Sequence, residues 1–358
     1  MKKSSKLVLL IVCLALVLAV GCSTKTPETS SSGGAPAEPV ELVISTWGFN
    51  EDLLWENVFK PFEEKHNVKI VLEVGNNADR LNKVRVRDNV QVDIIFLADY
   101  FAMQGIEEGL FEKIDVNNIP NINKLYDIAK APLGADYGPA YTIGSFGIVY
   151  DAAAVSGEVT SWGDLWKPEF KDRISIPDIT TTSGPMIIDL ASKLGGSDKI
   201  DEDVAFSKLK ELSPNILKYY SRSSDLVNML AQGEVVIAAG QEFSFESIKK
   251  AVPTAKWVVP KEGAYAVVNT INIVKGTKNK ALAEEFINWV LSDEVQRANA
   301  VAKVDAPANK NVKLTPEEAS GLTYGEETIA KLQLLDWSNI IPQMKGWIDR
   351  WNREIVAQ

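Results

Sequence analysis

The residues best suited to holding a small ligand stand just after short apolar runs. Trp47 follows "ELVIST" (41–46), and Asp99 and Tyr100 follow "VDIIFLA" (92–98). Thr181, Thr182 and Ser183 follow "ISIPDI" (174–179), while Gln241 and Glu242 follow "VVIAAG" (235–240). Indole and phenol faces with carboxylates suit an ammonium group. Hydroxyls beside a guanidinium suit a carboxylate or another oxyanion. Ser183-Gly184-Pro185 has the form of an N-cap with proline in the first helical turn, which leaves backbone N–H groups open. Arg222 and Ser223, ahead of "DLVNMLAQG", offer a second such end with a cation beside it. Plain helix capping explains both motifs equally well. Asp99 and Glu242 also make a carboxylate pair of the kind acid–base catalysis uses.

The elements that must position these groups alternate. "ELVIST", "VKIVLE" (68–73), "VDIIFL" (92–97), "FGIVYD" (146–151), "ISIPD", "VVIAAG", "AKWVVP" (255–260) and "NTINIVKG" (269–276) read as strands. Helical spacing separates them, as in Met186–Leu194, Leu226–Ala231 and Ala281–Leu291. Strands apolar on both faces and separated by helices predict parallel strands in a βαβ sheet. In open α/β sheets, ligands bind beyond the carboxyl ends of the strands, where the residues named above gather. With roughly 320 residues in the body, two lobes are expected rather than one core.

In "VTSWGDLWKPEFKDR" (159–173), Ser161 and Asp164 form a capping-box pattern, so a short helix is expected from Ser161. Trp162 and Trp166 share one side of it and read as core anchors, not a ligand platform. Trp347, Ile348, Trp351 and Ile355 likewise share one face of a closing helix near Met344–Val356.

Several chemistries are excluded by composition. Lys2, Lys3 and Lys6 precede an apolar run from Leu7 to Val20, the shape of a secretory signal. The run ends in Ala19-Val20-Gly21-Cys22, which resembles a bacterial lipobox; the resemblance implies cleavage before Cys22 and lipid on its thiol. Residues 23–40 are rich in Ser, Thr, Pro and Gly and read as a flexible tether of about 25 Å root-mean-square reach. Cys13 would leave with the signal, so the folded body keeps no free thiol for disulfides, metal or nucleophilic catalysis. A single histidine, His66, expected on the solvated surface, argues against triads and histidine metal sites. Loss of the three signal lysines carries the formal charge from −10 to −13, unsuited to nucleic acid.

The body resembles bacterial extracellular solute-binding proteins of ABC importers, and most of all the spermidine/putrescine-binding family. The likeness rests on "VTSWGDLWKPEFKDR", "PAYTIGSFGIVYD" (139–151), "AQGEVVIAAG" (231–240) and "VVPKEGAYAVVNTINIVKGTKNKALAEEFINWVL" (258–291). It implies an α/β, two-lobed periplasmic-binding-protein fold with crossings near Gly144, Val267 and Leu314. Lobe 1 would take residues 41–143 plus 267–313, and lobe 2 residues 144–266 plus 314–358, after a signal at 1–21 and a lipidated tether at 22–40. Trp47 stands where the family has tryptophan, and Asp99 and Tyr100 where it has aromatics. Asn269 and Val267 replace a carboxylate and a tryptophan, and Thr181, Thr182 and Ser183 replace an acidic pair. The implied role is a non-catalytic, monomeric receptor on the outer face of the cytoplasmic membrane or in the periplasm, without cofactor or metal. It would pass a solute to permease subunits: a polyamine by resemblance, with a zwitterionic amine, an amino-acid derivative or a small oxyanion as alternatives. A carboxylate-based enzyme on the same fold is the competing class.

Overall fold

The computed structural model describes residues 38–87 and 91–357, so the signal, Cys22 and most of the tether lie outside the described residues. Nine strands build one sheet: β1 (Val40–Thr46), β2 (Val68–Val74), β3 (Ile94–Ala98), β4 (Ala140–Asp151), β5 (Ile174–Pro177), β6 (Ile216–Tyr220), β7 (Ile237–Gln241), β8 (Ala255–Val258) and β9 (Tyr265–Ile273). Their order is β2-β1-β3-β9-β4-β7-β5-β6, with β8 on β4.

β1 lies parallel to β2 and β3, and β5 lies parallel to β6 and β7, each strand followed by a helix that covers the sheet. The βαβ expectation of parallel strands holds within each half, while the sheet as a whole is mixed. β4 and β9 run antiparallel to each other; β9 also pairs antiparallel with β3, and β4 with β7 and β8. Both strands start earlier than their apolar cores suggest, at Ala140 and Tyr265, because each threads from one half of the sheet into the other. Gly144 and Val267, where the chain was expected to cross, face each other in the β4–β9 ladder. β6 escaped the hydrophobic pattern, since Leu217 and Lys218 on this edge strand are exposed.

One core lies under β1–β3, where Leu42, Ile44, Phe59, Phe62 and Phe286 are buried. A second, around Val149, Leu226 and Ile248, supports the far half of the sheet. The expected anchors are in place. Trp162 is fully buried, with its indole N–H donating to the Gly263 carbonyl at 2.9 Å, in a 3-10 turn that carries the full Ser161–Asp164 capping box. Trp166 is half-buried, and its indole donates to the Lys208 carbonyl at 2.9 Å. Trp347 and Trp351 are buried on one face of the helix Met344–Trp351. His66 is not simply solvated: it stacks on Phe62 at 4.2 Å and lies 3.2 Å from a Glu285 oxygen.

Candidate functional site

A cleft of about 1110 Å³ opens where β4 and β9 cross between the two halves of the sheet. Its volume lies just above the usual range of small-molecule sites, about 300–1,000 Å³. Trp47, Thr181, Thr182, Ser183, Arg222, Ser223, Glu242 and Asn269 all line it. All eight stand at one edge of the sheet, although they do different jobs there.

On the β1–β3 side, Trp47, Phe96 and Tyr141 form an aromatic corner, with Trp47 6.5 Å from each of the other rings and Phe96 5.0 Å from Tyr141. Trp47 is half-committed, because the Arg80 guanidinium lies 4.7 Å from its ring centroid. Arg80 is fully buried and donates to the carbonyls of Gly75, Ser45 and Phe96. Desolvation pulls its pKa down to about 10, so it remains a cation behind the indole. Only the other face of Trp47 is left for a ligand.

Beside this corner lies Asp305, a cleft residue that the sequence reading missed. Its carboxyl makes no hydrogen bond or ion pair with the described residues, and burial pushes its pKa up to about 7. It is close enough to raise the pKa of the buried Tyr141 phenol, already well above the usual tyrosine range through desolvation. The backbone around it is pinned. Thr142 on β4 donates its hydroxyl to the Ala306 carbonyl at 2.7 Å, and the Gln296 amide oxygen accepts from the Ala308 N–H at 2.8 Å. No strand ends at Asp305, so the strand-end rule passes over it; the turn "VAKVDAPANK" offered no other signal.

Asp99 and Tyr100 are corrections, since neither lines the cleft. The chain enters the helix Asp99–Glu107 directly from β3, and this first turn carries both side chains into the core. Asp99 is held by the Trp337 indole and by the Tyr100 N–H at 2.8 Å, and burial raises its pKa to about 7. Tyr100 packs against Phe101 at 4.7 Å and Trp337 at 5.2 Å. Phe101, one residue further on, is the side chain that reaches the cleft. Glu242 has no carboxylate partner in Asp99. It accepts from the hydroxyl of Ser145 on β4 at 3.0 Å, and from the backbone N–H and hydroxyl of Thr323. Buried there, its pKa is pushed up to about 7. Glu242 thus ties the end of β7 to the crossing strand.

The far wall is built by three neighbouring parallel strands. β5 leads through Thr180–Ser183 into the helix Gly184–Leu194, β6 leads through Ser221–Arg222 into the helix Ser223–Ala231, and β7 ends at Gln241. A Cβ at Gly184 would lie 2.4 Å from the Ile179 carbonyl oxygen, so only glycine allows this tight entry. Thr181 spends its hydroxyl on the Asp178 carbonyl at 2.8 Å. Ser183 Oγ accepts from Gln241 Nε2 at 2.7 Å. At the mouth, Phe49 and Phe243 meet edge-on at 5.4 Å from opposite rims.

A β-sheet body in two halves, continuous through two antiparallel crossing strands and with its cleft at the crossing, is the architecture shared with solved extracellular solute-binding proteins. The chain belongs to that family: the model for bacterial extracellular solute-binding proteins matches residues 57–322. Among solved structures, an ABC transporter protein from Clostridium perfringens is 47% identical, covers 88% of this chain and 99% of its own, and superposes with a TM-score of 0.77. Spermidine/putrescine-binding periplasmic protein 1 of Haemophilus influenzae is 26% identical over 281 residues, 75% of this chain and 76% of the relative. The spermidine/putrescine-binding periplasmic protein of Escherichia coli is 26% identical over 315 residues, 84% of this chain and 88% of the relative. No helix among the described residues is long and apolar enough to cross a membrane.

Proposed function

We propose that the chain is the solute receptor of an ABC importer and that its solute is a small cationic amine. The observation that carries this reading is Asp305, a carboxylate without a hydrogen-bond or ion-pair partner among the described residues, in a cleft walled by aromatic rings. A half-buried carboxylate of this kind, desolvated at the cleft wall, gains from a counter-charge brought by a ligand. The relatives named for spermidine and putrescine support the same class, with polyamines as its best-represented members.

The receptor closes its two lobes about the crossings near Gly144 and Val267, with lobe 1 formed by residues 41–143 and 267–313 and lobe 2 by the rest of the body. Ligand stabilises the closed form through contacts made to both lobes at once. It works as a monomer that hands its solute to permease subunits and carries out no chemistry. Asp99 and Glu242, the pair an enzyme on this fold would use, have separate structural partners. Lipid on Cys22 and a flexible tether keep the receptor at the outer face of the membrane.

Titration calorimetry with putrescine, spermidine and γ-aminobutyrate tests the ligand class. At least one should bind to the wild-type chain and lose about tenfold or more in affinity in Asp305→Asn. Equal affinity in the variant, or indifference to every amine, would sink the amine reading.

A further inference from the structure

We infer that the β5–β6–β7 wall of the cleft is an oxyanion subsite, so that the captured amine also carries a carboxylate or phosphoryl group. This rests on the reading of the chain as a solute receptor and narrows its substrate from amines in general to amines of mixed charge.

Two helices of 11 and 9 residues, Gly184–Leu194 and Ser223–Ala231, start beside each other at the ends of β5 and β6, whose Pro177 and Tyr220 are register partners. Each helix start presents unsatisfied N–H groups and the positive end of the backbone dipole. Neither start is closed by a side-chain cap. At the first, the N–H groups of Thr182, Ser183 and Met186 have no acceptor among the described residues.

The side chains point to a ligand independently of the backbone. Thr182 is 7% exposed and lines the cleft, yet its hydroxyl has no hydrogen-bond partner among the described residues. That hydroxyl is open to the cleft and free to donate to an occupant. Ser183 is 1% exposed and takes its hydrogen bond from Gln241 Nε2, so its own hydroxyl hydrogen remains to be donated. Gln241 thus orients Ser183 as a donor. Arg222, at the start of the second helix, adds a cation with no ion-pair partner among the described residues. Backbone N–H groups, hydroxyl donors and a guanidinium on one wall make an array that an oxyanion satisfies and an ammonium does not. A diamine bound at Asp305 would direct its second ammonium at these donors.

Putrescine and γ-aminobutyrate have chains of similar length and differ at one end, where one carries an ammonium and the other a carboxylate. Titration calorimetry on the full chain with both, and with inorganic phosphate alone, reads the wall directly. γ-Aminobutyrate should bind about tenfold or more tighter than putrescine. Thr182→Val and Arg222→Ala should each weaken it about tenfold, whereas Arg222→Ala, which takes a like charge away from a second ammonium, should not weaken any putrescine binding. The two sites are chosen because one change is isosteric and the other lies on an exposed residue, so folding is preserved. Phosphate binding that depends on Thr182 and Arg222, with no response to either amine, would uphold the oxyanion subsite and remove the amine reading instead. Tighter binding of putrescine, γ-aminobutyrate binding unmoved by both variants, or silence from all three probes would overturn the inference.

Discussion

If Asp305 is the group that meets the ammonium, amine affinity must fall as the pH falls through its pKa. That pKa is pushed up to about 7 because the carboxyl is desolvated with no compensating partner among the described residues. The amine stays protonated throughout the range of interest, so the proton that matters is the one on Asp305. With the bound-state pKa well below 7, apparent Kd scales as one plus the ratio of protonated to ionised carboxyl. From pH 8 to pH 6 this predicts a rise of about tenfold, and about a further tenfold to pH 5, each decade equivalent to ~1.4 kcal/mol. Glu242 titrates near the same pH but is bonded to Ser145 and Thr323, so Glu242→Gln should retain the slope. Asp305→Asn should bind more weakly at pH 8 and show a flat profile. Calorimetry at pH 8, 7, 6 and 5, with the tightest-binding amine, supplies the four points. A wild-type affinity independent of pH, or an equal slope in Asp305→Asn, would refute the assignment of the ammonium to this carboxylate.

Trp162→Ala, at a fully buried site, should lower unfolding free energy by about 3–5 kcal/mol in urea titration, and Trp166→Ala by less, since Trp166 is half-buried. Asp99 and Glu242 have folded-state pKa values raised to about 7 from 3.8 and 4.5, so the folded chain keeps protons that the unfolded chain has shed between those values. Stability should therefore fall as pH rises from about 4 to about 7, level off above, and fall less steeply in Glu242→Gln; a urea midpoint rising over that window would contradict the sign. Phe243→Ala removes the edge-on contact with Phe49 across the mouth and should speed ligand release about two- to tenfold in stopped-flow measurements without loss of stability, as the ring is exposed. Cys22→Ala should move the chain from the membrane fraction to the soluble one, and retention after a high-salt wash would refute lipid anchoring.

The sequence carries the edge of the sheet where the cleft opens more clearly than it carries the facing of each side chain. A buried strand announces itself by its apolar run, and the residue after it must lie at the carboxyl edge. Trp47, Thr182, Ser183 and Arg222 line the cleft for that reason. Whether such a residue looks into the cleft depends on what the chain does next. After β5 a loop of several residues precedes the helix, and its hydroxyls stay at the rim. After β3 the helix begins at once, so Asp99 and Tyr100 turn inward and Phe101 faces the ligand space. The crossing strands hid their length for a related reason: Ala140 to Ser145 and Tyr265 to Val268 pair only with each other or with single partners at the waist, where no second apolar strand reinforces the pattern.

Asp305 marks the deeper limit. It belongs to no strand end and no motif, and it reaches the cleft because Thr142 and Gln296 hold the surrounding backbone from elements more than a hundred residues away and from the preceding helix. Its neighbours in sequence are small and apolar, so local pattern gives it the look of a turn residue. A cleft shared by two lobes draws its ligand groups from crossings and returns, and the charge that selects the solute can sit on whichever return passes the aromatic corner. In this chain that is the segment after the helix Asp293–Val301, opposite a wall of donors built by β5, β6 and β7. One carboxylate on one side and an array of donors on the other favour a solute with charge of each sign at its two ends over one that is cationic throughout.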